Sequence, residues 1–137
     1  MNILVKTIAH IAIEISNLEK SLHFYVDTLG LHYHFDGKDE NGVVKMAYLK
    51  VSEGVFLELF ATGIHQPERK HWLIGFHHLC LGVDDIHQAE AHIRNSGYEI
   101  KKSATLGSDG SWQCWVDDPD GNPIELMQYT AESLQCI

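Results

Sequence analysis

Two similar stretches of sequence decide the fold of this chain: IAHIAIEISNLEKSLHFYVDTLG at residues 8–30 and FHHLCLGVDDIHQAEAHIRNSG at residues 76–97. When His10 is aligned with His78, aliphatic residues coincide at four further positions: Ile11 with Leu79, Ile13 with Leu81, Ile15 with Val83, and Leu18 with Ile86. Self-similarity at a fixed separation indicates that one structural unit is used more than once. The chain therefore contains an internal repeat.

The match continues downstream of these stretches. After a one-residue deletion in the second stretch, GVFLEL at 54–59 aligns with GNPIEL at 121–126. This register places Glu58 on Glu125. The two halves of the chain thus share one plan.

Each half begins with a strand and a helix. Polar or small residues alternate with aliphatic residues at 10–15 and 78–83, which is the period of a half-buried strand. SNLE at 16–19 has the form of a helix capping box, and DIHQ at 85–88 is a weaker version. Apolar residues then recur at helical spacing: Leu18, Leu22, Val26 and Leu29 in the first half, and Ile86, Ala89 and Ile93 in the second.

Turn signals delimit the remaining strands. Gly30 and Gly97 stand where a left-handed cap ends a helix, and DDPDG at 117–121 is a strong turn. The strands predicted between the turns are 31–36, 43–51 and 55–60 in the first half, and 98–102, 111–116 and 123–128 in the second. The sequence therefore predicts an α+β fold: two tandem βαβββ modules, 5–65 and 74–129, forming a cupped mixed sheet with helices on its outer face.

Length and composition fit one domain. The 137 residues are 45% hydrophobic and 21% charged, an ordinary composition for a globular protein. We expect a single domain over residues 1–137. Within it, residues 63–73 form a solvated linker between the modules, and residues 130–137 form a short tail without a clear pattern.

The charge balance argues against two classes of partner. Ten basic and nineteen acidic residues give a net charge of −9, whereas nucleic acids and anionic membranes attract clusters of Lys and Arg. No apolar run approaches the roughly 20 residues that span a bilayer, and the N-terminus lacks a signal-peptide pattern. Three cysteines without CxxC spacing favour neither a disulfide framework nor a thiolate zinc site. We therefore expect a cytoplasmic protein.

Four polar residues coincide in the repeat: His10 and Glu58 in the first half, and His78 and Glu125 in the second. Their aliphatic neighbours face the helices, so strand alternation points these four side chains to the concave side of the sheet. Two imidazoles and two carboxylates suit a divalent ion such as Ni²⁺, Co²⁺, Mn²⁺, Fe²⁺ or Zn²⁺, with positions left for water or substrate. One such residue alone would be an ordinary surface or core residue, but two matching pairs in one register favour a metal site.

Other polar and aromatic residues carry weaker signals. His32 and His34 are assigned to an exposed edge strand, and Cys80 and Cys114 to small buried positions. Five of the ten histidines are interpreted as surface residues: His23, His65, His71, His87 and His92. Five aromatic residues are candidates for lining the concave side as a substrate pocket: Tyr48, Phe56, Phe60, Trp112 and Trp115.

Five motifs together have a counterpart in a known family: HIAI at 10–13, LEKSLHFYVDTLGL at 18–31, LELF at 57–60, HLCL at 78–81 and DPDGNPIEL at 118–126. In these motifs the chain resembles the vicinal oxygen chelate superfamily over residues 5–129. That superfamily includes glyoxalase I, methylmalonyl-CoA epimerase, extradiol dioxygenases and fosfomycin-modifying thiol transferases. The resemblance implies paired βαβββ modules that form a cup around a divalent metal ion, usually in a homodimer.

The pattern of ligands resembles glyoxalase I most. That enzyme binds its metal through all four positions, whereas the dioxygenases and fosfomycin enzymes fill the position of Glu58 differently and the epimerase typically has Gln there. The resemblance implies a metal-dependent lyase or isomerase that chelates two adjacent oxygens of an α-hydroxycarbonyl, hemithioacetal-like small molecule and stabilises its enediolate. It also implies that Glu125 is the catalytic base, with Glu58 as its pseudo-symmetric partner.

Two positions depart from the bacterial glyoxalases. Glu14 stands where those enzymes have an Arg that contacts glutathione, and Phe60 stands where they have an Asn. Because an anion at position 14 would repel a glutathione carboxylate, another α-hydroxycarbonyl compound or small acid stays open as substrate. An epimerase-like or thiol-transferase-like enzyme and a non-catalytic binding protein of the bleomycin-resistance type also stay open. The sequence does not decide which metal binds, or whether the site lies within one chain or between two.

Overall fold

The computed structural model describes residues 4–64, 70 and 72–136. Backbone contacts divide the chain into two compact units, Met1–Pro67 and Glu68–Ile137, which we call the first and second unit. His65, His71 and most of the predicted linker lie outside the described residues. Among the residues that are described, no helix is long and apolar enough to cross a membrane.

The first unit contains a four-stranded mixed sheet. Its elements in chain order are β1 (His10–Glu14), α1 (Leu18–Leu22), β2 (His32–Lys38), β3 (Val44–Ser52) and β4 (Val55–Phe60). The strands lie in the order β1-β4-β3-β2. β1 is parallel to β4, and the other two pairings are antiparallel.

The second unit repeats this plan. Its elements are β5 (Leu79–Gly82), α2 (Ile86–Asn95), β6 (Ile100–Leu106), β7 (Trp112–Asp117) and β8 (Pro123–Gln128). The order β5-β8-β7-β6, with β5 parallel to β8, matches the first sheet strand for strand. The shared order and pairing confirm the α+β class and the βαβββ modules predicted from the repeat.

The N-terminus of the first helix corrects the predicted capping box. The cap is Asn17, one residue after Ser16, and its side-chain oxygen accepts a hydrogen bond from the Lys20 amide at 2.9 Å. In the second unit Asp85 caps α2 as predicted, accepting from the amides of His87 and Gln88. Asn and Asp are both strong N-cap residues because a short side-chain oxygen reaches a free helix amide.

The buried face of the first helix also differs from the prediction. After α1 the chain continues as a π-helical segment, His23–Thr28, where the Leu29 amide donates to the Phe24 carbonyl. A π-helical turn holds more residues than an α-helical turn, so a pattern with α-helical spacing does not stay on one face. The residues predicted to face the core are only half-buried: Leu18, Leu22, Val26 and Leu29. Phe24 and Tyr25 are fully buried instead.

In α2, Ile86 and Ile93 are fully buried as predicted. Both helical segments end at a glycine in the left-handed region, Gly30 with φ 79° and Gly97 with φ 90°. This confirms the predicted left-handed caps, which glycine adopts at little steric cost.

The two faces of each sheet differ in character. Leu57 and Leu59 on β4 are buried on one face, and Glu58 points to the other. On β8 the same alternation separates Ile124 and Leu126 from Glu125. We call these two faces of each sheet the aliphatic face and the glutamate face. In the second unit α2 covers the aliphatic face, where the Ile86 amide donates to the Gln128 side chain at 2.9 Å.

The tail beyond β8 is more ordered than its sequence indicates. It forms a 3₁₀ turn, Leu134–Cys136, that is fastened to the loop between β6 and β7. The Ser111 hydroxyl donates to the Ser133 hydroxyl at 2.8 Å, and both serines are fully buried. The Gln135 amide group donates to the Asp109 carboxylate at 2.6 Å. These contacts are polar and local, so no hydrophobic pattern announces them.

Candidate metal centre

The first predicted pair of ligands lies on neighbouring strands of the first unit. His10 begins β1, and Glu58 stands in the middle of β4 beside Ala12. His10 Nε2 lies 3.4 Å from Glu58 Oε2. On the other side of Glu58, Tyr48 of β3 sits directly opposite it in register. The Tyr48 ring packs edge-on against the His10 ring with a centroid distance of 5.7 Å.

The second pair has the same arrangement in the second unit. His78 directly precedes β5, and Glu125 stands in the middle of β8 beside Cys80. His78 Nε2 lies 2.9 Å from Glu125 Oε2. Trp115 of β7 sits opposite Glu125 and packs edge-on against His78 with a centroid distance of 4.6 Å. In each pair, the histidine therefore lies at the start of one strand and the glutamate in the strand beside it in the sheet. An aromatic ring from a third strand packs edge-on against the histidine.

Both pairs fit a divalent cation in charge and in donor atoms. Glu58 and Glu125 are only 7% and 6% exposed. Among the described residues, the ion-pair contacts of these two carboxylates are with histidine rather than with Lys or Arg. A buried carboxylate is costly unless a cation compensates its charge, and imidazole nitrogen with carboxylate oxygen is a suitable donor set for first-row divalent metals.

The groups beside the two glutamates remain protonated at neutral pH. Burial, and then the adjacent Glu58 carboxylate, raise the pKa of the Tyr48 hydroxyl.

Cys80 is an exposed residue, which corrects the prediction of a buried position, whereas Cys114 is buried as predicted. Desolvation of the Cys80 thiol by surrounding atoms, together with the Glu125 carboxylate, raises the pKa of Cys80 to about 12. Neither the Tyr48 hydroxyl nor the Cys80 thiol competes with the carboxylates as an anion.

The four predicted ligands come together as two pairs, one in each unit. Within the described part of the chain, no three His, Cys, Asp or Glu side chains lie close enough to hold a metal ion jointly. Each unit therefore supplies one nitrogen donor and one oxygen donor on its glutamate face.

Four of the five predicted pocket residues lie on a glutamate face. Phe56 and Phe60 flank Glu58 on β4, and Tyr48 and Trp115 lie opposite the two glutamates.

Trp112 is the exception, and its assignment to the pocket is wrong. The pairing of β7 with β8 is unbroken, so a two-residue period places Trp112 with Cys114 and Val116 on the aliphatic face. There its ring contacts His87 of α2 at 5.0 Å.

Sequence reasoning missed one aromatic residue of the first unit. β2 is an edge strand, and His32 and His34 are exposed on it, as predicted. A β-bulge between Tyr33 and Phe35 breaks the alternation, because a bulge adds an extra residue to one strand. As a result Phe35 stacks on Tyr48 at 4.5 Å, and His34 lies 5.2 Å from Phe56. Nothing in the sequence HYHF marks this bulge.

The two positions that depart from the bacterial glyoxalases are direct neighbours. Glu14 of β1 is paired in register with Phe60 of β4. Glu14 is exposed, and its carboxylate accepts a hydrogen bond from the Thr62 hydroxyl at 2.9 Å. The glutamate face of the first unit thus ends in an anion and an aromatic ring.

Comparison with known proteins places this fold and these motifs in one family. The model of the Glyoxalase/Bleomycin resistance protein/Dioxygenase superfamily matches residues 7–126, and the chain belongs to this superfamily. It is 32% identical to a probable lactoylglutathione lyase from Synechocystis sp., over 90% of this chain and 95% of that protein. The resemblance drawn from the sequence motifs is therefore confirmed.

Solved structures agree with this assignment. A glyoxalase family protein from Enterococcus faecalis is 27% identical, with a TM-score of 0.74 over 91% of this chain and 99% of that one. An antibiotic-binding protein from Streptomyces sp. has the same fold at 23% identity, with a TM-score of 0.72 over 94% of this chain and 100% of that one. The fold thus occurs in proteins with different roles.

Proposed function

We propose that this protein is a metal-dependent lyase or isomerase of the glyoxalase I type, in which His10, Glu58, His78 and Glu125 jointly hold one divalent cation. The observation that carries this proposal is the repeated His–Glu pair, with contacts of 3.4 and 2.9 Å on equivalent strands. Relatives named lactoylglutathione lyase, at about 30% identity, support the same reaction class.

The proposed chemistry is proton transfer at a carbon next to a carbonyl. A divalent cation held by these residues would polarise two adjacent oxygens of an α-hydroxycarbonyl substrate and stabilise the negative charge that develops on them. Glu125 removes the proton from the carbon that bears the hydroxyl group and returns it to the neighbouring carbonyl carbon. Glu58 occupies the equivalent position of the first unit, and the protonated Tyr48 hydroxyl can donate to its carboxylate and keep it in place.

The residues at the end of the glutamate face of the first unit, Glu14 and Phe60, limit which substrates can bind there. The exposed Glu14 carboxylate next to Phe60 offers no cation for an anionic group and would repel one, because like charges repel. We therefore propose a hemithioacetal-like or other α-hydroxycarbonyl substrate whose remote part is not secured by a carboxylate at this position. By analogy with the family, we also propose a homodimer that acts in the cytoplasm.

A second candidate is a binding protein that sequesters a planar ligand without metal. The observation in its favour is the aromatic cluster of the first unit, in which Phe35 stacks on Tyr48 and Tyr48 lies 5.9 Å from Phe56. Such rings can stack on a flat ligand. This candidate requires neither histidine nor glutamate at the two pairs.

Metal loading followed by proton exchange separates the two candidates. The chelator-treated protein is titrated with Ni²⁺, Co²⁺, Mn²⁺ and Zn²⁺, and its unfolding temperature is measured. Proton–deuterium exchange at the α-carbon of methylglyoxal–glutathione hemithioacetal and simpler α-hydroxycarbonyl compounds is then followed by NMR. We expect at least one metal to raise the unfolding temperature and to switch on exchange.

The control is the His32→Ala variant, which removes an exposed histidine of the edge strand and should behave like the wild type. If no metal raises the unfolding temperature, the enzyme proposal is wrong. If a metal binds and the simpler α-hydroxycarbonyl compounds exchange their proton but the hemithioacetal does not, the reaction class is supported. The hemithioacetal is then excluded as the substrate.

A further inference from the structure

We propose that His77 is a positioning residue, which orients the His78 imidazole by accepting a hydrogen bond from its Nδ1. The inference rests on the proposed function, since it concerns His78 as a metal ligand. His77 itself makes no contact with the metal in this proposal.

The geometry engages both nitrogens of the His78 ring. Nε2 faces Glu125 Oε2 at 2.9 Å, and Nδ1 lies 2.7 Å from His77 Nδ1. The two imidazole rings stand almost perpendicular, with an interplanar angle of 81° and a centroid distance of 4.9 Å. Together with the Trp115 ring at 4.6 Å, these contacts hold the imidazole of His78 from three sides.

The direction of the hydrogen bond follows from the requirements of a metal ligand. A neutral imidazole that gives the Nε2 lone pair to a metal carries its proton on Nδ1. This proton needs an acceptor, which in metal sites is usually a carboxylate, a carbonyl or water. Here the nearest group is His77 Nδ1. His77 can accept when its own proton lies on Nε2, so the pair adopts one matched set of tautomers.

Among the described residues of the first unit, this contact has no equivalent. Ala9 occupies the position before His10 that His77 occupies before His78, and a methyl group accepts no hydrogen bond. The longer distance between His10 and Glu58, 3.4 Å against 2.9 Å in the second pair, is consistent with a less constrained ring. We therefore expect the second pair to be the better preorganised half of the site.

Two substitutions of His77 separate orientation from direct binding. His77→Asn keeps an acceptor, because the Asn Oδ1 can occupy the place of Nδ1. His77→Phe keeps a ring for the edge-on contact and removes the acceptor. The matched control is His32→Phe, which removes an exposed histidine of the first unit. The readouts are the dissociation constant for Zn²⁺ by calorimetry, the visible absorption of the Co²⁺-loaded protein, and the unfolding temperature of each metal-free variant.

We expect His77→Phe to weaken Zn²⁺ binding by about 10- to 100-fold, the range for loss of a partner that orients a metal-binding histidine. His77→Asn and His32→Phe should keep most of the wild-type affinity, and all metal-free variants should unfold near the wild-type temperature. Wild-type affinity in His77→Phe would overturn the inference about His77 and leave the proposed function standing. An equal loss in His77→Asn would also overturn it, since His77 would then act as a ligand. A wild-type protein that binds no metal would overturn the proposed function as well.

Discussion

Glu58 and Glu125 are buried carboxylates, and each has a histidine Nε2 beside one of its oxygens. The same residue type at equivalent positions can nevertheless have two roles in one reaction. Both can bind a cation, but one base is enough to move one proton. The proposed function assigns that role to Glu125.

Glu125→Gln tests this assignment. Gln is nearly isosteric and keeps one oxygen that can bind a metal, but it cannot take up a proton at neutral pH. We expect turnover to fall by about 10²- to 10⁴-fold, the usual contribution of a positioned base, while the metal dissociation constant changes much less. Steady-state kinetics and calorimetry measure the two effects. Equal losses in both would make Glu125 a ligand only, and Glu58→Gln is the matched comparison.

Individual site residues differ in how far the sequence could predict them. His10, Glu58, His78 and Glu125 stand out because the repeat aligns them, and strand alternation gives their faces. Alternation also places Trp112 on the aliphatic face, opposite to Trp115, so its assignment to the pocket went against this pattern, whereas Phe35 is missed because a bulge breaks the alternation. The proposed role of His77 depends on the distance of 2.7 Å between its Nδ1 and that of His78. Residue spacing in the sequence does not reveal such a contact.

At the scale of elements, the Glu90 side chain connects α2 to β6. Both guanidinium contacts of Arg94 with Glu90 go to Oε1, at 3.0 and 2.8 Å, and the Ala104 amide donates to Oε2 at 2.7 Å. The amide of Ala104 first, and then the Arg94 guanidinium, lower the pKa of Glu90 below its ordinary value of 4.5. Glu90 therefore links the helix to the outer strand of its sheet in its charged form.

Glu90→Gln should make the second unit less stable in a pH-dependent way. A carboxylate whose pKa is lowered by folding stabilises the fold above its unfolded pKa, and this contribution is lost as the pH falls through the lowered pKa. We expect a loss of about 1 kcal/mol at pH 7, the upper end for an exposed ion pair, which disappears as the pH falls below 4.5. Urea unfolding between pH 3 and pH 7 measures it. Glu99→Gln, at an exposed pair with Lys101, is the control, and a loss that persists at pH 3 would contradict the assignment.

The elements themselves were predictable where local pattern and tertiary packing agree. β4 and β8 begin and end at the predicted residues, because alternation and turn signals coincide there. The first helix deviates because its second part is π-helical, so that Phe24 and Tyr25 are buried instead of the residues at α-helical spacing. The tail was missed because its order comes from hydrogen bonds with a loop more than twenty residues away.

At the scale of the whole molecule, the proposed function assigns half of the metal ligands to each unit. Two donors from one pair leave a divalent ion short of the four to six ligands it usually takes. The proposed site is complete only when a pair from a first unit meets a pair from a second unit. The repeat thus predicts a definite stoichiometry, which differs from that of two independent weak sites.

We expect one divalent ion per chain, bound with a single affinity, and we expect His10→Ala and His78→Ala to abolish that binding to a similar extent. The physical reason is that removing a donor from either unit breaks the same coordination shell. At a free metal concentration of 100 times the dissociation constant, binding should stabilise the wild type by about 2.7 kcal/mol, and either variant should lose this gain. Calorimetry gives the stoichiometry, and thermal unfolding gives the stabilisation. The controls are His32→Ala and His92→Ala, which remove one exposed histidine from each unit. Two ions per chain, or a variant that keeps half of the binding, would mean that the pairs act separately, and the proposed joint site would then be wrong.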